Sequence, residues 1–328
     1  MRVIVTGGAG FIGSNLVDRL LAEGHRVVVV DNFDPFYARE FKESNLAAAL
    51  AQPGFELREI DIRDAAAINA LVSGFQPDAI VHLAARAGVR PSIIDPALYT
   101  AVNVQGTVHL LQAACTLEPR PRFVYASSSS VYGDRPDAPF RETDPVDHPV
   151  SPYAATKKAC ELLAHTFHHL HGLPITGLRF FTAFGPRNRP DLAIAKFARL
   201  IDRGEPVPMF GDGTTRRDYT YVGDIVDGVI RAIDRCTSYH LYNLGHSEPI
   251  ELRAMIEGLG QALGRTPIIE RYPEQPGDVR QTYADISRAA AELGYAPGTP
   301  FAEGLARYVD WLRSTGASPG KTSGDSGS

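Results

Sequence analysis

A glycine-rich turn near the start of the chain restricts the possible fold more than any other feature. Residues 7–13 read Gly-Gly-Ala-Gly-Phe-Ile-Gly, directly after a β-branched run at residues 3–5 and before a helical pattern. Glycine lets the backbone turn sharply, approach an anion closely and point the free N–H groups of a helix N-terminus at that anion. We therefore predict that this turn holds the pyrophosphate of a dinucleotide, and its predicted contact residues are Gly7, Gly10, Phe11, Ile12 and Gly13.

Short β-branched runs alternate with amphipathic stretches over the first 180 residues. Strands are predicted at residues 2–6, 26–30, 56–60, 79–83, 122–126 and 175–180. This alternation predicts an α/β protein of Rossmann type, in which a doubly wound parallel sheet is covered by helices on both faces. Beyond residue 180 little strand is expected, and helical patterns occur at residues 193–203, 223–234 and 251–263.

The change of pattern near residue 180 predicts a division of the chain into three parts. Residues 1–180 are expected to form the dinucleotide-binding domain. Residues 181–313 are expected to form a smaller C-terminal substrate-binding lobe over the carboxyl edge of the sheet, where open α/β sheets bind ligands. Residues 314–328 are rich in Gly and Ser and are expected to be a disordered tail.

Asp31 follows the second predicted strand and indicates which dinucleotide is bound. A carboxylate at this point accepts hydrogen bonds from the adenosine ribose and repels a 2′-phosphate. The first arginine after it is Arg39, too far along the chain to attract such a phosphate. We therefore predict NAD rather than NADP, with Asp31 and the adjacent Asn32 in the cofactor site.

Composition and charge exclude several classes of partner. The formal net charge of −5 provides no basic field for a nucleic-acid backbone, so a small anionic ligand held by local arginines is expected. No apolar run approaches the ~18 residues that a membrane-spanning helix needs, and Met1 leads directly into a strand pattern rather than a signal peptide. We expect a cytoplasmic protein without a membrane partner.

Cysteine and histidine spacings do not indicate a metal site. The three cysteines fit neither a zinc site nor a disulfide framework, and we interpret them as packing residues: Cys115, Cys160 and Cys236. Four histidines crowd the end of one predicted helix, at residues 165, 168, 169 and 171, without an accompanying set of cysteines or carboxylates. Cationic side chains suit a helix C-terminus, so no metal is expected.

Tyr153 and Lys157 are four residues apart in a helical pattern that begins after Ser151 and Pro152, an N-cap residue and a first-turn proline. This spacing places both side chains on one helix face. A phenol is a poor base at neutral pH, but an adjacent ammonium and a positive nicotinamide ring favour the phenolate. Beside a dinucleotide loop, the pair therefore predicts proton transfer coupled to hydride transfer.

Several motifs together resemble the extended short-chain dehydrogenase/reductase family, in its nucleotide-sugar epimerase/dehydratase branch. The residues that carry the resemblance are Gly7 to Gly13, Asp31, His82-Leu83-Ala84-Ala85, Asn103, Ser127 to Gly133, Tyr153 and Lys157. The resemblance implies that Leu83, Ala84, Ala85 and Asn103 contact the cofactor. It also implies that Asp61 and Ile62 flank adenine, and that Ser128 works with Tyr153 on the sugar.

The same resemblance implies how a uridine diphosphate sugar is held. Three residues of the second lobe are assigned to the uridine diphosphate: Phe210, Arg217 and Arg280. Further substrate contacts are expected from Arg90, Ser128, Ser129, Thr182, Arg187 and Arg189. The helices near residues 100–116 and 153–171 are implied to form the bundle of a homodimer.

Ser129 narrows the reaction within this branch. Members that dehydrate the sugar are similar to one another in carrying Asp-Glu where this chain has Ser128-Ser129. Decarboxylating members carry a glutamate in the second place, and a serine cannot replace a carboxylate as a base. We therefore expect simple inversion at C4, through oxidation to a 4-keto sugar and reduction on its other face.

Thr182 and Arg189 indicate the kind of sugar. Neutral-sugar epimerases of the family typically carry asparagine where this chain has Thr182, whereas Arg189-Pro190-Asp191 and Asp34-Pro35 resemble the UDP-glucuronate 4-epimerase group. A threonine hydroxyl can donate to a carboxylate, and a guanidinium can pair with it bidentately. Arg187 is the alternative candidate for this pair.

Three alternatives remain open from the sequence. Both arginines can be diphosphate or surface residues. The substrate can be UDP-glucose or UDP-N-acetylglucosamine instead of a uronate. A non-catalytic NAD sensor is a further possibility, although a sensor needs only the cofactor loop and this chain also carries the tyrosine, lysine and serine.

Overall fold

The computed structural model describes residues 1–273 and 279–315. The predicted tail lies outside the described residues from residue 316 onward. The strands are β1 (Arg2–Thr6), β2 (Arg26–Val30), β3 (Phe55–Arg58), β4 (Ala79–His82), β5 (Arg122–Ser128), β6 (Ile175–Phe180), β7 (Thr182–Phe184), β8 (Val207–Phe210), β9 (Arg216–Tyr221), β10 (Tyr239–Leu244), β11 (Pro249–Glu251) and β12 (Ile269–Tyr272).

Helices connect most of these strands. They are α1 (Phe11–Ala22), α2 (Arg39–Leu46), α3 (Ala65–Phe75), α4 (Val89–Ile94), α5 (Pro96–Tyr99), α6 (Gly106–Cys115), α7 (Pro152–His171), α8 (Ala193–Arg203), α9 (Val222–Asp234), α10 (Leu252–Leu263), α11 (Ser287–Leu293) and α12 (Phe301–Ser314). Short 3₁₀ turns occur at Ala49–Ala51 and Ser129–Tyr132, and a π-helical segment at Thr100–Gln105 joins α5 to α6. None of the helices in the described part of the chain is both long and apolar enough to cross a membrane.

A seven-stranded parallel sheet forms the centre of the molecule, in the order β10-β6-β5-β4-β1-β2-β3. Its inner strands are almost continuous runs of buried apolar residues, as required when helices cover both faces. The chain moves outward from β1 in one direction through β2 and β3, and in the other through β4, β5 and β6. The predicted doubly wound Rossmann-type sheet is confirmed.

Two apolar cores lie on opposite faces of this sheet. On one face, α1, α9 and α11 pack on the strands through side chains such as Leu16 and Val229. On the other, α3, α6 and α7 do so through side chains such as Val72 and Leu110. A third core, containing Met255 and Tyr308, joins α8, α10 and α12 to the short strands of the second lobe.

The expectation of little strand after residue 180 is wrong, because six of the strands lie there. Five form two small sheets, β11-β9-β7 and β12-β8, while β10 pairs with β6 and completes the large sheet. These strands are three to six residues long, too short for a period of two to be recognised in the sequence. The division at residue 180 stays a prediction, and the large sheet takes one strand from beyond it.

Candidate active site

The glycine turn joins β1 to α1 and leaves the start of that helix open. Gly7 has a left-handed backbone, with φ +70°, and a methyl group there would lie 2.7 Å from the backbone N of Ala84. A methyl group on Gly13 would overlap the carbonyl O of Gly7, at 2.2 Å. On Gly10, the N-cap of α1, it would meet nothing nearer than that same oxygen, at 3.2 Å. The turn is therefore closed behind and open in front, which fits a bound pyrophosphate.

Asp31 lies buried directly after β2, behind the glycine turn. Its Oδ2 accepts the Ala9 N–H at 3.1 Å and its Oδ1 accepts the Phe33 N–H at 2.9 Å, while Lys42 Nζ is 3.8 Å from Oδ1. Burial raises the pKa of the Asp31 carboxyl, and the charge of Lys42 and the two N–H groups oppose that rise. Asp31 thus ties the turn to the loop after β2, besides its predicted contact with the ribose.

The residues predicted near adenine lie together after β2 and β3. Asn32 Nδ2 donates to Asp61 Oδ2 at 2.9 Å, and hydrogen bonds from Arg63 hold the pKa of Asp61 down to about 2. Ile62 is buried against Gly106 at the start of α6, where a methyl group would lie 2.5 Å from Ile62 Cδ1.

The segment after β4 packs directly against Gly7 of the glycine turn. The Leu83 N–H donates to the carbonyl O of Thr6 at 3.1 Å, and the Ala84 N–H donates to Thr6 Oγ1 at 3.2 Å. Ala85 follows in the same loop. The end of β1 and the end of β4 are therefore joined where the predicted cofactor residues of both segments meet.

His82, the last residue of β4, is a buried histidine with both ring nitrogens bonded. Nδ1 lies 2.7 Å from Thr6 Oγ1, and Nε2 lies 2.9 Å from Thr107 Oγ1. The Thr107 hydroxyl donates to the carbonyl O of Asn103 at 2.5 Å, so it accepts from Nε2–H, which places the proton of the neutral ring on Nε2. Burial lowers the pKa of His82 to about 3. The interpretation of His82 as a satisfied buried histidine is confirmed by these contacts.

Asn103 lies in the π-helical segment and is fully engaged by protein groups. Its Oδ1 accepts the Arg86 N–H at 2.8 Å, and its Nδ2 donates to the carbonyl O of Arg86 and to Thr156 Oγ1, each at 3.0 Å. Thr156 belongs to α7, the helix that carries Tyr153. Asn103 thus holds the loop after β4 against α7.

Tyr153 and Lys157 lie on one face of α7, as their spacing predicts. The helix begins with Ser151, whose side chain accepts the Ala154 N–H, and with Pro152 in the first turn. Lys157 Nζ is 5.9 Å from the centre of the Tyr153 ring and donates to the carbonyl O of Ala126 in β5 at 2.8 Å. This bond keeps the ammonium at the carboxyl end of the sheet, between the helix and β5.

Ser128 ends β5 next to this lysine anchor. Its Oγ accepts the Ser130 N–H at 3.1 Å, which uses one lone pair and leaves the hydroxyl proton available to a sugar oxygen. Ser129 lies in the 3₁₀ turn that follows and is half-buried. Ser127 points to the other face of β5 and donates to Glu161 Oε1 at 2.6 Å.

The sequence interpretation missed a buried ion pair behind these serines. Arg179 donates through Nε and Nη2 to the two carboxylate oxygens of Glu161, each at 2.8 Å, and both side chains are at most 3% exposed. Arg179 Nη1 also donates to Tyr132 Oη at 2.9 Å. A signal existed for both residues, since Glu161 is four residues after Lys157 and Arg179 is a charge inside an apolar strand.

The predicted uridine diphosphate residues come from separate segments of the second lobe. Phe210 ends β8, and Arg90 Cζ at the start of α4 lies 6.0 Å from the centre of its ring. Arg217 lies in β9, and Arg280 is attached to the same strand because the Arg216 N–H donates to its carbonyl O at 3.0 Å.

The two arginines that are candidates for binding the sugar carboxylate lie in the loop after β7 and have different partners. Thr182 is half-buried at the start of β7. Arg187 Nη2 donates to Asp18 on α1 at 2.6 Å, so its guanidinium connects the loop to the first domain. Arg189 forms a bidentate pair with Asp191, through Nε at 3.0 Å and Nη2 at 2.7 Å. Arg187 Nη1 is buried without a hydrogen-bond partner among the described residues, and Nη1 of Arg189 takes no part in its pair with Asp191, so each arginine keeps a donor that a sugar could use.

Residues that could bind a metal do not converge in the described part of the chain. No group of three or more His, Cys, Asp or Glu side chains is placed to hold an ion there. The cysteines are free, and Cys160 and Cys236 are buried. His168 Nδ1 lies 2.9 Å from the carbonyl O of Leu173, near the C-terminus of α7.

Comparison with known proteins shows which protein family the chain belongs to. The model of the NAD dependent epimerase/dehydratase family matches residues 3–245, and the chain belongs to this family, whose cofactor is NAD. The predicted family and cofactor are therefore confirmed.

Individual relatives narrow the comparison. A UDP-glucuronate 4-epimerase from Thermodesulfobacterium geofontis is 41% identical, over 94% of this chain and 95% of its own. The structure of a UDP-glucuronic acid 4-epimerase from Bacillus cereus, in complex with UDP-glucuronic acid and NAD, has a TM-score of 0.90 at 33% identity, covering 96% of this chain and all of that one. A Thermus thermophilus UDP-glucose 4-epimerase in complex with NAD has a TM-score of 0.86 at 34% identity, covering 95% of this chain and 99% of its own.

Proposed function

We propose that this protein is an NAD-dependent nucleotide-sugar 4-epimerase that interconverts UDP-glucuronate and UDP-galacturonate. The observation that carries the proposal is the placement of Tyr153 and Lys157 on one face of α7, with Lys157 bonded to β5 next to Ser128. The names of the Thermodesulfobacterium and Bacillus relatives support the choice of sugar.

The chain supplies the proton transfers of this reaction. We assign to Tyr153 the removal of the O4 proton and to Ser128 a hydrogen bond to O4, with the Lys157 ammonium held beside them by its bond to Ala126. NAD, when bound, accepts the C4 hydride and returns it. After the 4-keto sugar has rotated, Tyr153 gives its proton back to O4, so that protons and electrons balance and only the configuration of C4 changes.

Ser129 supports inversion without loss of water or carbon dioxide. Elimination of water needs an additional acid and base, and a serine hydroxyl cannot act as a carboxylate. The 4-keto uronic acid is a β-keto acid, which loses carbon dioxide easily. The site must therefore hold the C6 carboxylate in an orientation that disfavours this cleavage.

We assign the C6 carboxylate to Arg189 and Thr182. Arg189 pairs with a residue of its own loop, whereas Arg187 reaches to Asp18 on α1 through Nη2; Arg187 is about as exposed as Arg189 and its buried Nη1 has no partner in the described part of the chain, so it stays the alternative candidate. Thr182 is shorter than asparagine and has a hydroxyl that can donate to a carboxylate. The uridine diphosphate is assigned to Arg90, Phe210, Arg217 and Arg280.

A homodimer through α6 and α7 is proposed as well. Leu162 and Leu170 on α7 are 58% and 66% exposed in the single chain, and burying such leucines favours association. Sedimentation of the purified protein tests this proposal, with Leu162→Glu as the variant expected to be monomeric. The cytoplasmic location stays a prediction.

Product analysis with a panel of UDP-sugars tests the function. We expect UDP-glucuronate and UDP-galacturonate to interconvert with little UDP-pentose. Replacing Tyr153 with Phe should lower turnover roughly 10²- to 10⁴-fold, because the transferable proton is lost. The affinity for NAD, measured by titration, should stay unchanged. Efficient turnover of UDP-glucose with none of UDP-glucuronate would transfer the proposal to the neutral-sugar epimerase that the Thermus structure exemplifies.

A further inference from the structure

Arg189 is held from one side by a residue of its own loop. Asp191 accepts from Nε and from Nη2 of Arg189, so the carboxylate lies along the side edge of the planar guanidinium. Asp191 is about two-fifths exposed and Arg189 about one-fifth, so the pair lies at the boundary between protein and solvent. The pair therefore fixes the direction of the guanidinium where a ligand can reach it.

The end edge of the same guanidinium, formed by Nη1 and Nη2, is available to a second anion. A guanidinium has five N–H donors, and a carboxylate on the Nε side occupies two of them. Within residues 1–273 and 279–315, the hydrogen bonds of the Arg189 guanidinium come from Nε and Nη2, and Nη1 has no partner. Nη1 and Nη2 together present the parallel pair of donors that binds a carboxylate bidentately.

An aromatic ring from the cofactor side of the molecule supports the plane of Arg189. The guanidinium carbon Cζ lies 5.1 Å from the centre of the Phe36 ring. Arg86 lies at the same distance from this ring and forms an ion pair with Asp34. Lys42, the neighbour of Asp31, donates to the carbonyl O of Asp34 at 3.0 Å and so anchors the loop that carries Phe36.

The ring against which the guanidinium lies joins the cofactor loop to α7. Phe36 precedes Tyr37, and Arg86, which lies over the same ring, is hydrogen-bonded through its backbone to Asn103, whose side chain donates to Thr156 on α7. Tyr37 Oη would be 3.9 Å from a methyl group on Gly10, so this phenol lies over the glycine turn. Arg189 is thus situated between the cofactor loop and α7, where the sugar must be placed for hydride transfer.

We propose that Asp191 and Phe36 are positioning residues that determine specificity for a uronate, by fixing the plane of Arg189 so that its end edge meets the C6 carboxylate. This inference rests on the proposed function. An arginine already fixed in its binding orientation loses less side-chain entropy when the ligand arrives. A neighbouring carboxylate also reduces the cost of taking the guanidinium out of water.

The kinetics of four single variants and one double variant test this inference, with UDP as a reference ligand that lacks the sugar. Asp191→Asn should raise the KM for UDP-glucuronate about tenfold, as expected from one weakened charged hydrogen bond, and leave the inhibition constant of UDP unchanged. Asp191→Glu should recover part of the lost affinity, and Phe36→Leu should raise the KM less than Asp191→Asn does. In an Arg189→Ala background, Asp191→Asn should have no further effect.

Two controls separate the possible failures. Asp227→Asn removes a similar surface pair, with Arg231 on α9, and should leave both constants unchanged. Failure of the wild-type enzyme to turn over UDP-glucuronate overturns the proposed function and this inference together. If it turns over the uronate, an unchanged KM in Asp191→Asn, an equal change for UDP, or additive effects with Arg189→Ala overturn the inference alone.

Discussion

The helix side and the arginine side of the candidate site are built differently. Around α7, the polar groups are buried and bonded to one another, as in the chain from His82 through Thr107 to Asn103 and the pair of Glu161 with Arg179. On the side of the second lobe, the ion pairs are at least partly exposed, both the local pair of Arg189 with Asp191 and the pair of Arg187 with Asp18 on α1. The surroundings of the groups assigned to proton transfer are thus fixed in the folded chain, while the groups assigned to the anionic substrate can exchange partners.

This difference follows from what each side must do. Proton and hydride transfer depend on distances held to a fraction of an ångström, so a rigid environment is favourable. A diphosphate and a carboxylate bring their own charges, and an arginine that already has an exposed partner can change it at small cost. We therefore expect substitutions on the helix side to lower stability and those on the arginine side to lower affinity.

Glu161→Gln should give the largest effect on stability. The substitution leaves the charge of Arg179 unpaired in a buried position, which typically costs about 3–5 kcal/mol. The measurement is the free energy of unfolding in urea. Glu59→Gln, which breaks an exposed pair with Arg39, is the matched control and should leave the unfolding midpoint unchanged. Equal effects from the two variants would remove the distinction between buried and exposed pairs.

His82→Gln should alter how stability depends on pH. Burial lowers the pKa of His82 to about 3, from 6.5 for an unperturbed histidine, so the folded chain keeps the ring neutral where the unfolded chain binds a proton. Its contribution is complete above pH 6.5 and is lost as the pH falls toward 3, by about 1.4 kcal/mol per pH unit. Between pH 6.5 and 4.5, the free energy of unfolding measured in urea should therefore decrease less steeply with falling pH in the variant than in the wild type.

The control for this prediction is His148→Gln, which changes an exposed histidine and should keep the wild-type slope. A His82→Gln slope equal to that of the wild type would show that other groups cause the acid sensitivity.

Arg217→Ala should give the smallest of these effects, and it acts on affinity. Loss of one charged contact to the diphosphate should raise the inhibition constant of UDP about tenfold, with an unchanged melting temperature. The adjacent Arg216 lies on the other face of β9 and pairs with Glu251, so Arg216→Ala serves as the comparison and should change the constant little. A lower melting temperature for Arg217→Ala would place this arginine with the structural pairs of the helix side.

The parts of the fold that follow from local sequence could be predicted. The strands β1, β2 and β6 begin and end as expected, because β1 and β2 contain uninterrupted buried β-branched runs after an exposed arginine, and β6 is mostly apolar although it includes Thr176, Gly177 and Arg179. The pairing of β10 with β6 could not be predicted, since residues far apart in the chain form it and only packing selects them. The short strands beyond residue 180 could not be predicted either, because three to six residues are too few for a period of two to be recognised.

The candidate site shows the same division between local and distant information. The glycine turn and the spacing of Tyr153 and Lys157 depend on neighbouring residues and are visible in the sequence. The bond from Lys157 to Ala126 and the contact of Phe36 with Arg189 join separate segments. No local sequence pattern predicts such contacts. The pairing of Arg189 with Asp191 is different, because the two residues are close together in the sequence.

The late position of β10 in the chain has a consequence for synthesis on the ribosome. Until residue 244 has been made, β6 lacks its outer neighbour, and its row of backbone N–H and C=O groups forms an open edge. Translation proceeds at ~5–20 residues per second, so this edge stays available for several seconds to other nascent chains. Truncation before residue 239 would make that exposure permanent, so fragments comprising only the first 180 residues should aggregate rather than accumulate as a folded domain.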